Sequence, residues 1–251
     1  MSVSDICRSN TGVSLKASTE LPALIQDLKD EKQDSLVAME SGCDLFDKMK
    51  NRILSFKSYK YMKNSEHFQT LSKDSRVCPP NILGFEPGEA FTVRNVANLL
   101  PTYESGQSET NAALEFAVNS LEVENILIIG HSCCRGICAL MGMQDEADSS
   151  SFIRSWVTIG KKAKLSTKAF ASNLDFDQQR TQCEKESINN SLLNLLTYPW
   201  IEEKVKKGVL SLHGGYYDFV DCTFENWTLD YKGSITVGKN RVLVKDRSFW
   251  C

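Results

Sequence analysis

The amino-acid sequence predicts an α/β fold, with a mostly parallel central sheet flanked by helices. The prediction adds an N-terminal helical arm and an antiparallel edge strand near the C-terminus. The first indication is the short apolar run at residues 126–129, which ends at a glycine and is typical of a strand buried on both faces. The second is the order strand, helix, strand across residues 90–129, because a right-handed crossover of this kind makes the two strands parallel.

The composition is that of an ordinary globular protein. The chain has 251 residues, 41% of them hydrophobic and 24% charged, so it can bury a sizeable core. A formal net charge of −3 gives no indication of a nucleic-acid partner or an anionic membrane surface. No apolar run is long enough to cross a bilayer, so no membrane association is expected.

The cysteines and the N-terminal residues give indications of the cellular compartment in which the protein works. Nine cysteines are scattered through a chain with a normal core, which favours a reducing, intracellular compartment over a disulfide framework. Residues 1–20 lack the apolar segment of a secretory signal, but their Ser and Thr content is compatible with a transit peptide. We therefore expect the cytoplasm or the chloroplast.

The N-terminal half is predicted from apolar spacing. Residues 1–40 are expected to form the arm, where Thr19 caps a helix with an apolar stripe every three or four residues. A second stripe, at residues 45–56, indicates another helix. Residues 90–96 are predicted to be a strand, and Ser108 to cap the helix that leads to the central strand.

The C-terminal half is predicted to hold helices followed by strands. A long helix starts at Asp175 or Asp177, and Gly214 and Gly215 are predicted to turn the chain. Strands are predicted at residues 209–213, 216–220 and 223–231. His213 is expected to be structural. Residues 232–251 are expected to form a C-terminal tail with a possible edge strand, and its stretch 234–244 could add to the sheet edge of a partner.

The turn after the central strand carries candidate metal ligands. His131 and Cys134 are three positions apart, and imidazole and thiolate are both good ligands for zinc. Ligand sites of open α/β sheets lie at the carboxyl ends of strands, which is where these residues fall. A lone His-x-x-Cys is a weak signal, so a polar turn with a buried thiol is the alternative.

A second pair of candidate residues precedes the two prolines at 79 and 80. Asp74 and Arg76 carry opposite charges two positions apart. The spacing alone is compatible with a solvated turn, and also with an aspartate held by an arginine beside a reactive centre.

Six stretches stand out, in this order: D-S-R-V-C-P at 74–79, L-G-F-E-P-G-E-A-F-T-V-R-N-V-A-N at 83–98, E-N-I-L-I-I-G-H-S at 124–132, C-E-K-E-S at 183–187, L-L-T-Y-P-W at 195–200 and H-G-G-Y-Y-D-F at 213–219. Together they resemble the plant-type β-class carbonic anhydrases. The resemblance covers about residues 45–230, so we expect a β-carbonic anhydrase-like domain at residues 41–231.

The resemblance implies a zinc enzyme, a carbonate dehydratase that reversibly hydrates carbon dioxide to bicarbonate. Two of the family's zinc ligands correspond to His131 and Cys134, and its Asp/Arg dyad corresponds to Asp74 and Arg76. Its apolar carbon dioxide pocket corresponds to Phe91, Val96 and Phe116. The family also implies a homo-oligomer, either dimers or larger assemblies.

The sequence departs from the family just before Asp74. The family's first zinc cysteine corresponds to Ser72, and the apolar strand and glutamine-containing loop that should precede it are missing. We interpret this as an internal deletion, which splicing, decay of a duplicated gene or a faulty gene model could explain. Arg135 also stands where the family usually has a glycine.

Two functions are compatible with these observations. The first is an enzyme with a repaired site, in which Asp74 replaces the missing cysteine and Cys78 and Cys133 are alternative thiolates. The second is a catalytically impaired or inactive member that acts as a non-catalytic oligomer subunit or binding protein. The zinc content of the purified chain would separate them, because tight zinc binding needs three or more good ligands.

Overall fold

A computed structural model describes residues 42–73, 78–144, 151–231 and 244–251. The chain divides into two compact units, Met1–Phe46 and Asp47–Cys251, and the second holds the sheet and the candidate site. The predicted arm at residues 1–40, with its Thr19 cap, lies outside the described residues, as do Asp74 and Arg76. No helix in the described ranges has the length and apolar content to cross a membrane.

A four-stranded sheet organises the second unit. Its strands lie side by side in the order β1 (Asn125–His131), β2 (Ser211–Asp218), β3 (Thr223–Leu229) and β4 (Val244–Trp250). β1 and β2 are parallel, while β3 is antiparallel to both of its neighbours. The α/β fold class is therefore confirmed, and β4 is an edge strand near the C-terminus. The predicted mostly parallel sheet is not seen in the described residues, because two of the three strand pairs are antiparallel.

Nine α-helices accompany the sheet in the described part of the chain. They are α1 (Gly42–Phe56), α2 (Ser65–Lys73), α3 (Pro79–Leu83), α4 (Glu109–Glu115), α5 (Arg135–Gly142), α6 (Phe152–Val157), α7 (Lys161–Phe170), α8 (Phe176–Leu195) and α9 (Pro199–Lys206). π-helical turns follow α1 and α4, at Lys57–Tyr61 and Phe116–Ser120.

The helix α8 packs against β1 and β2, the strands whose carboxyl ends lie at the candidate site. It begins where the sequence predicts, because Asp175 accepts a hydrogen bond from the Gln178 amide at 2.8 Å and completes a capping box. Its buried face joins the main apolar core, made of Ile188, Leu192, Leu195, Leu212, Tyr216 and Trp227 among others. This packing sets the position of α8 along β1 and β2, and therefore its distance from the carboxyl ends of these two strands.

The predicted strand at residues 90–96 is wrong. Residues 90–95 pair with no strand in the described ranges, and a 3-10 turn, Val96–Asn98, follows them. A strand needs a neighbour for its backbone N–H and C=O groups. None of the described strands lies beside residues 90–95, so they form no strand there. The parallel part of the sheet is consequently the single pair β1 and β2.

The predicted turn at Gly214 and Gly215 is also wrong. Both glycines lie inside β2, which runs unbroken through them. A Cβ at either position would lie closer than 3.0 Å to the aromatic ring of Trp227 or Phe224 on β3. The two glycines therefore make room for large rings on the neighbouring strand, and no turn is needed to explain them.

Candidate metal and active site

The site is built on the turn that joins β1 to α5. His131 is the last residue of β1, and Cys134 is the N-cap of α5. Gly130 lets β1 approach α8 closely, because a Cβ there would lie 2.7 Å from the Ile188 side chain. Between the two candidate ligands, Cys133 has a φ of 58°, in the left-handed region that non-glycine residues seldom adopt.

The His131 ring is oriented by its own neighbour. Nδ1 lies 2.8 Å from the carbonyl oxygen of Ser132. Since a carbonyl can only accept, Nδ1 carries the proton and Nε2 keeps its lone pair. Burial lowers the pKa of His131, and the hydrogen bond to Ser132 only partly opposes this. The neutral ring, which is the form that binds a metal, is therefore favoured.

The Cys134 thiol lies in the interior and is only 3% exposed. Burial is the main cause that raises the pKa of this thiol. The backbone N–H groups of Ile137 and Gly136 act in the opposite direction and lower the pKa. A thiolate in this position needs a positive partner, which a bound metal would supply.

Ser132 ties the turn to the end of β2. Its backbone N–H donates to the Tyr217 carbonyl at 2.9 Å, and its hydroxyl oxygen accepts from the Phe219 N–H at 2.8 Å. The same hydroxyl donates to the Asp218 carboxylate at 3.2 Å. Sequence analysis did not assign a role to Ser132 or Asp218, although both lie in stretches that match the family.

Glu184 ties the other end of the turn to α8. Its carboxyl group is 1% exposed and accepts from the Cys134 N–H at 2.8 Å and from the Tyr216 hydroxyl at 2.9 Å. Burial raises the pKa of Glu184 to about 7, against the effect of both hydrogen bonds and of Arg180. Sequence analysis missed this residue as well.

Two of the three residues predicted to form the carbon dioxide pocket lie side by side in the described chain. Phe91 and Phe116 lie with their ring centroids 5.7 Å apart, and they are 49% and 48% exposed. Val96 is half exposed and lies against α5 near Gly136, while its carbonyl accepts from the Trp156 indole at 2.7 Å. The substrate role of these three residues stays a prediction.

Two of the three predicted zinc ligands, His131 and Cys134, lie within the described residues. Within residues 42–73, 78–144, 151–231 and 244–251, no three His, Cys, Asp or Glu side chains are grouped to hold a metal ion. Cys78 and Cys133 thus do not complete a set with His131 and Cys134. The buried Ser72 hydroxyl donates to the Gln69 carbonyl at 2.7 Å, inside α2. Asp74 is outside the described residues, so its role as a ligand stays a prediction.

Comparison with known sequences identifies the family. A family model described as carbonic anhydrase matches residues 72–224. The chloroplastic β-carbonic anhydrase 5 of Arabidopsis thaliana is 56% identical over 259 aligned positions, which cover 97% of this chain and 84% of that protein. The mitochondrial β-carbonic anhydrase 6 of the same plant is 44% identical over 242 positions, covering 90% and 82%.

Solved structures agree with the sequence matches. The β-carbonic anhydrase CcaA is 27% identical, with a TM-score of 0.57 over 70% of this chain and 91% of that chain. A β-carbonic anhydrase of Sordaria macrospora, described as tetrameric, is 24% identical with a TM-score of 0.53, over 68% and 91%, and shows the shared fold alone. Identity and coverage together place this chain in the family of plant-type β-carbonic anhydrases.

Proposed function

We propose that this chain reversibly hydrates carbon dioxide to bicarbonate with a zinc ion held at the turn between β1 and α5. One observation carries the proposal: His131 and Cys134 bracket this turn, and the bond from Nδ1 to Ser132 leaves Nε2 of His131 available. The third proposed ligand is Asp74, because no described side chain completes the set. Zinc in such a site lowers the pKa of a bound water, so that hydroxide is present near neutral pH.

The chain's own residues give this site its proposed properties. The lowered pKa of His131 keeps the imidazole neutral, and the burial of Cys134 excludes water from the sulfur. Phe91, Val96 and Phe116 provide the apolar surface proposed to receive uncharged carbon dioxide. Asp74 and Arg76 form the proposed dyad. If Asp74 binds the metal instead, it can no longer pair with Arg76, and the dyad is lost.

We expect activity far below that of an intact family member, because the deletion removes the first cysteine ligand. The alignment with the chloroplastic relative has 259 positions, more than the 251 residues of this chain, so that relative carries residues that are missing here. The family match also begins at residue 72, which is where the gap is proposed. Both observations support the deletion before Asp74.

We further propose a homo-oligomer in an intracellular, reducing compartment. The Sordaria macrospora relative is described as tetrameric, and Phe152 here is 94% exposed beside the exposed Ile153, as expected of surface that a second copy covers. A chloroplast location is favoured by the first relative, and a mitochondrial one is the alternative given by the second. Sedimentation and organelle fractionation test these two points.

The test of the function combines metal analysis with a rate. The chain, His131→Ala and Cys134→Ser are purified, and zinc per chain and stopped-flow carbon dioxide hydration are measured. His67→Ala, which removes an exposed imidazole on α2, is the matched control. We expect zinc and measurable hydration in the chain and the control, and loss of both in the two ligand variants. A metal-free chain, or hydration that survives both ligand substitutions, would contradict the proposal.

A further inference from the structure

We propose that Glu184 is a positioning residue that holds residues 132–134 in the conformation from which Cys134 binds the metal. The metal part of this inference rests on the proposed function. The contact between Glu184 and the turn does not, because both partners belong to the described chain.

The first step is the capping of α5. Cys134 is the N-cap residue, but its side chain makes no capping hydrogen bond. The backbone N–H of an N-cap residue has no acceptor within its own helix, so the N–H of Cys134 needs one from elsewhere. The Glu184 carboxylate, 50 positions further along the chain, takes this role at 2.8 Å.

The second step is the shape of the turn. Ser132 is held by the end of β2, and Cys134 is held by Glu184, so both neighbours of Cys133 are fixed. Cys133 is kept in the left-handed region, with a φ of 58°, between these two anchors. Without Glu184 the Cys134 N–H would be buried and unpaired, and the turn could relax toward an ordinary conformation that moves the sulfur.

The third step is the orientation of the carboxylate itself. Tyr216 on β2 donates to one oxygen at 2.9 Å, which leaves the other oxygen directed at Cys134. Arg180, one turn earlier on α8, lies 3.6 Å from the carboxylate and also pairs with Asp177 at 2.9 Å. When Glu184 is ionised, its negative charge at the start of α5 is balanced by Arg180 and favoured by the helix dipole.

The experiment measures hydrogen exchange of the Cys134 amide in metal-free protein. Glu184→Ala and Glu184→Met remove the acceptor, and Met also keeps most of the side-chain volume if Ala fails to fold. Glu184→Gln keeps an acceptor oxygen, and Glu203→Ala on α9 is the control for loss of an exposed carboxylate. We expect exchange at least tenfold faster in the Ala and Met variants, and wild-type protection in the Gln variant and the control. Unchanged protection in both acceptor-free variants would overturn the proposal.

A second measurement follows cobalt binding by its thiolate charge-transfer absorption. We expect Glu184→Ala and Glu184→Met to weaken cobalt binding about 10–100-fold, the range usual for residues that orient metal ligands. Glu184→Gln should restore affinity to within a few-fold of the wild type. Equal affinity in all variants would also overturn the proposal. If the unsubstituted chain takes up no cobalt, the zinc part of the proposed function fails, and the exchange measurement still decides the role of Glu184.

Discussion

The burial of His213 predicts that the free energy of unfolding of this protein depends on pH. The ring is buried between β1 and β3, with Nε2 3.0 Å from the Asn125 side-chain oxygen and Nδ1 3.0 Å from the Thr228 hydroxyl. A neutral ring satisfies both partners, since Nε2 donates to the amide oxygen and Nδ1 accepts from the hydroxyl. Protonation would require the Thr228 hydroxyl to turn and accept from Nδ1, and it would place a charge in the interior of the sheet.

The size of this pH effect on stability follows from the difference between the pKa of His213 in the folded chain and its pKa in the unfolded chain. Burial lowers the pKa of His213 from 6.5 to about 4, with Asp246 raising it and Lys245 lowering it by smaller amounts. Between these two values the unfolded chain binds a proton that the folded chain does not, so stability falls as the pH falls. At about 1.4 kcal/mol per pH unit, the loss between pH 6.5 and pH 4 amounts to about 3 kcal/mol.

The assay is urea unfolding at a series of pH values from 7 to 4, on the chain and on His213→Gln. Gln is neutral and can bond to the same partners, so the variant should lose about 3 kcal/mol less than the wild type over this range. His67→Gln, at an exposed position, is the control and should follow the wild type. Parallel pH profiles for the wild type and His213→Gln would refute the reasoning.

Four further predictions concern packing, capping and the site. Gly214→Ala should lower the free energy of unfolding by about 1–3 kcal/mol through its clash with the indole ring on β3, whereas Gly142→Ala, in open space, should not. Asp175→Ala should cost about 1 kcal/mol in urea unfolding, because α8 loses its capping box. Phe116→Ala should lower kcat/KM for carbon dioxide and leave zinc content unchanged if the apolar pocket is as proposed. Added zinc should raise the melting temperature of the chain but not of His131→Ala.

The parts of the fold that sequence reasoning predicted are those with local signals. Residues 126–129 are an apolar run that ends at Gly130, and they form most of β1. The start of α8 was predicted from an acidic cap, which is a signal within four residues. His131 and Cys134 could be found for the same reason, since a turn three residues long brings them to one end of a strand.

The parts that were missed depend on distant residues. Residues 90–95 have the composition of a strand, but pairing requires a neighbour, and none of the described strands lies beside them. The glycines of β2 were interpreted as a turn, because the rings they accommodate belong to another strand. Glu184 was missed because its contacts join α8 to the metal-site turn, and a charged residue in a helix gives no sign of burial in the sequence.

We propose that this β-carbonic anhydrase keeps two of its metal ligands, His131 and Cys134, and that a deletion before Asp74 removed another. Stopped-flow hydration of carbon dioxide tests it most directly, on the chain as it stands and on a version with the apolar strand and its cysteine restored. We predict a large gain in rate on restoration, together with stoichiometric zinc. Equal rates in the two proteins would contradict the account.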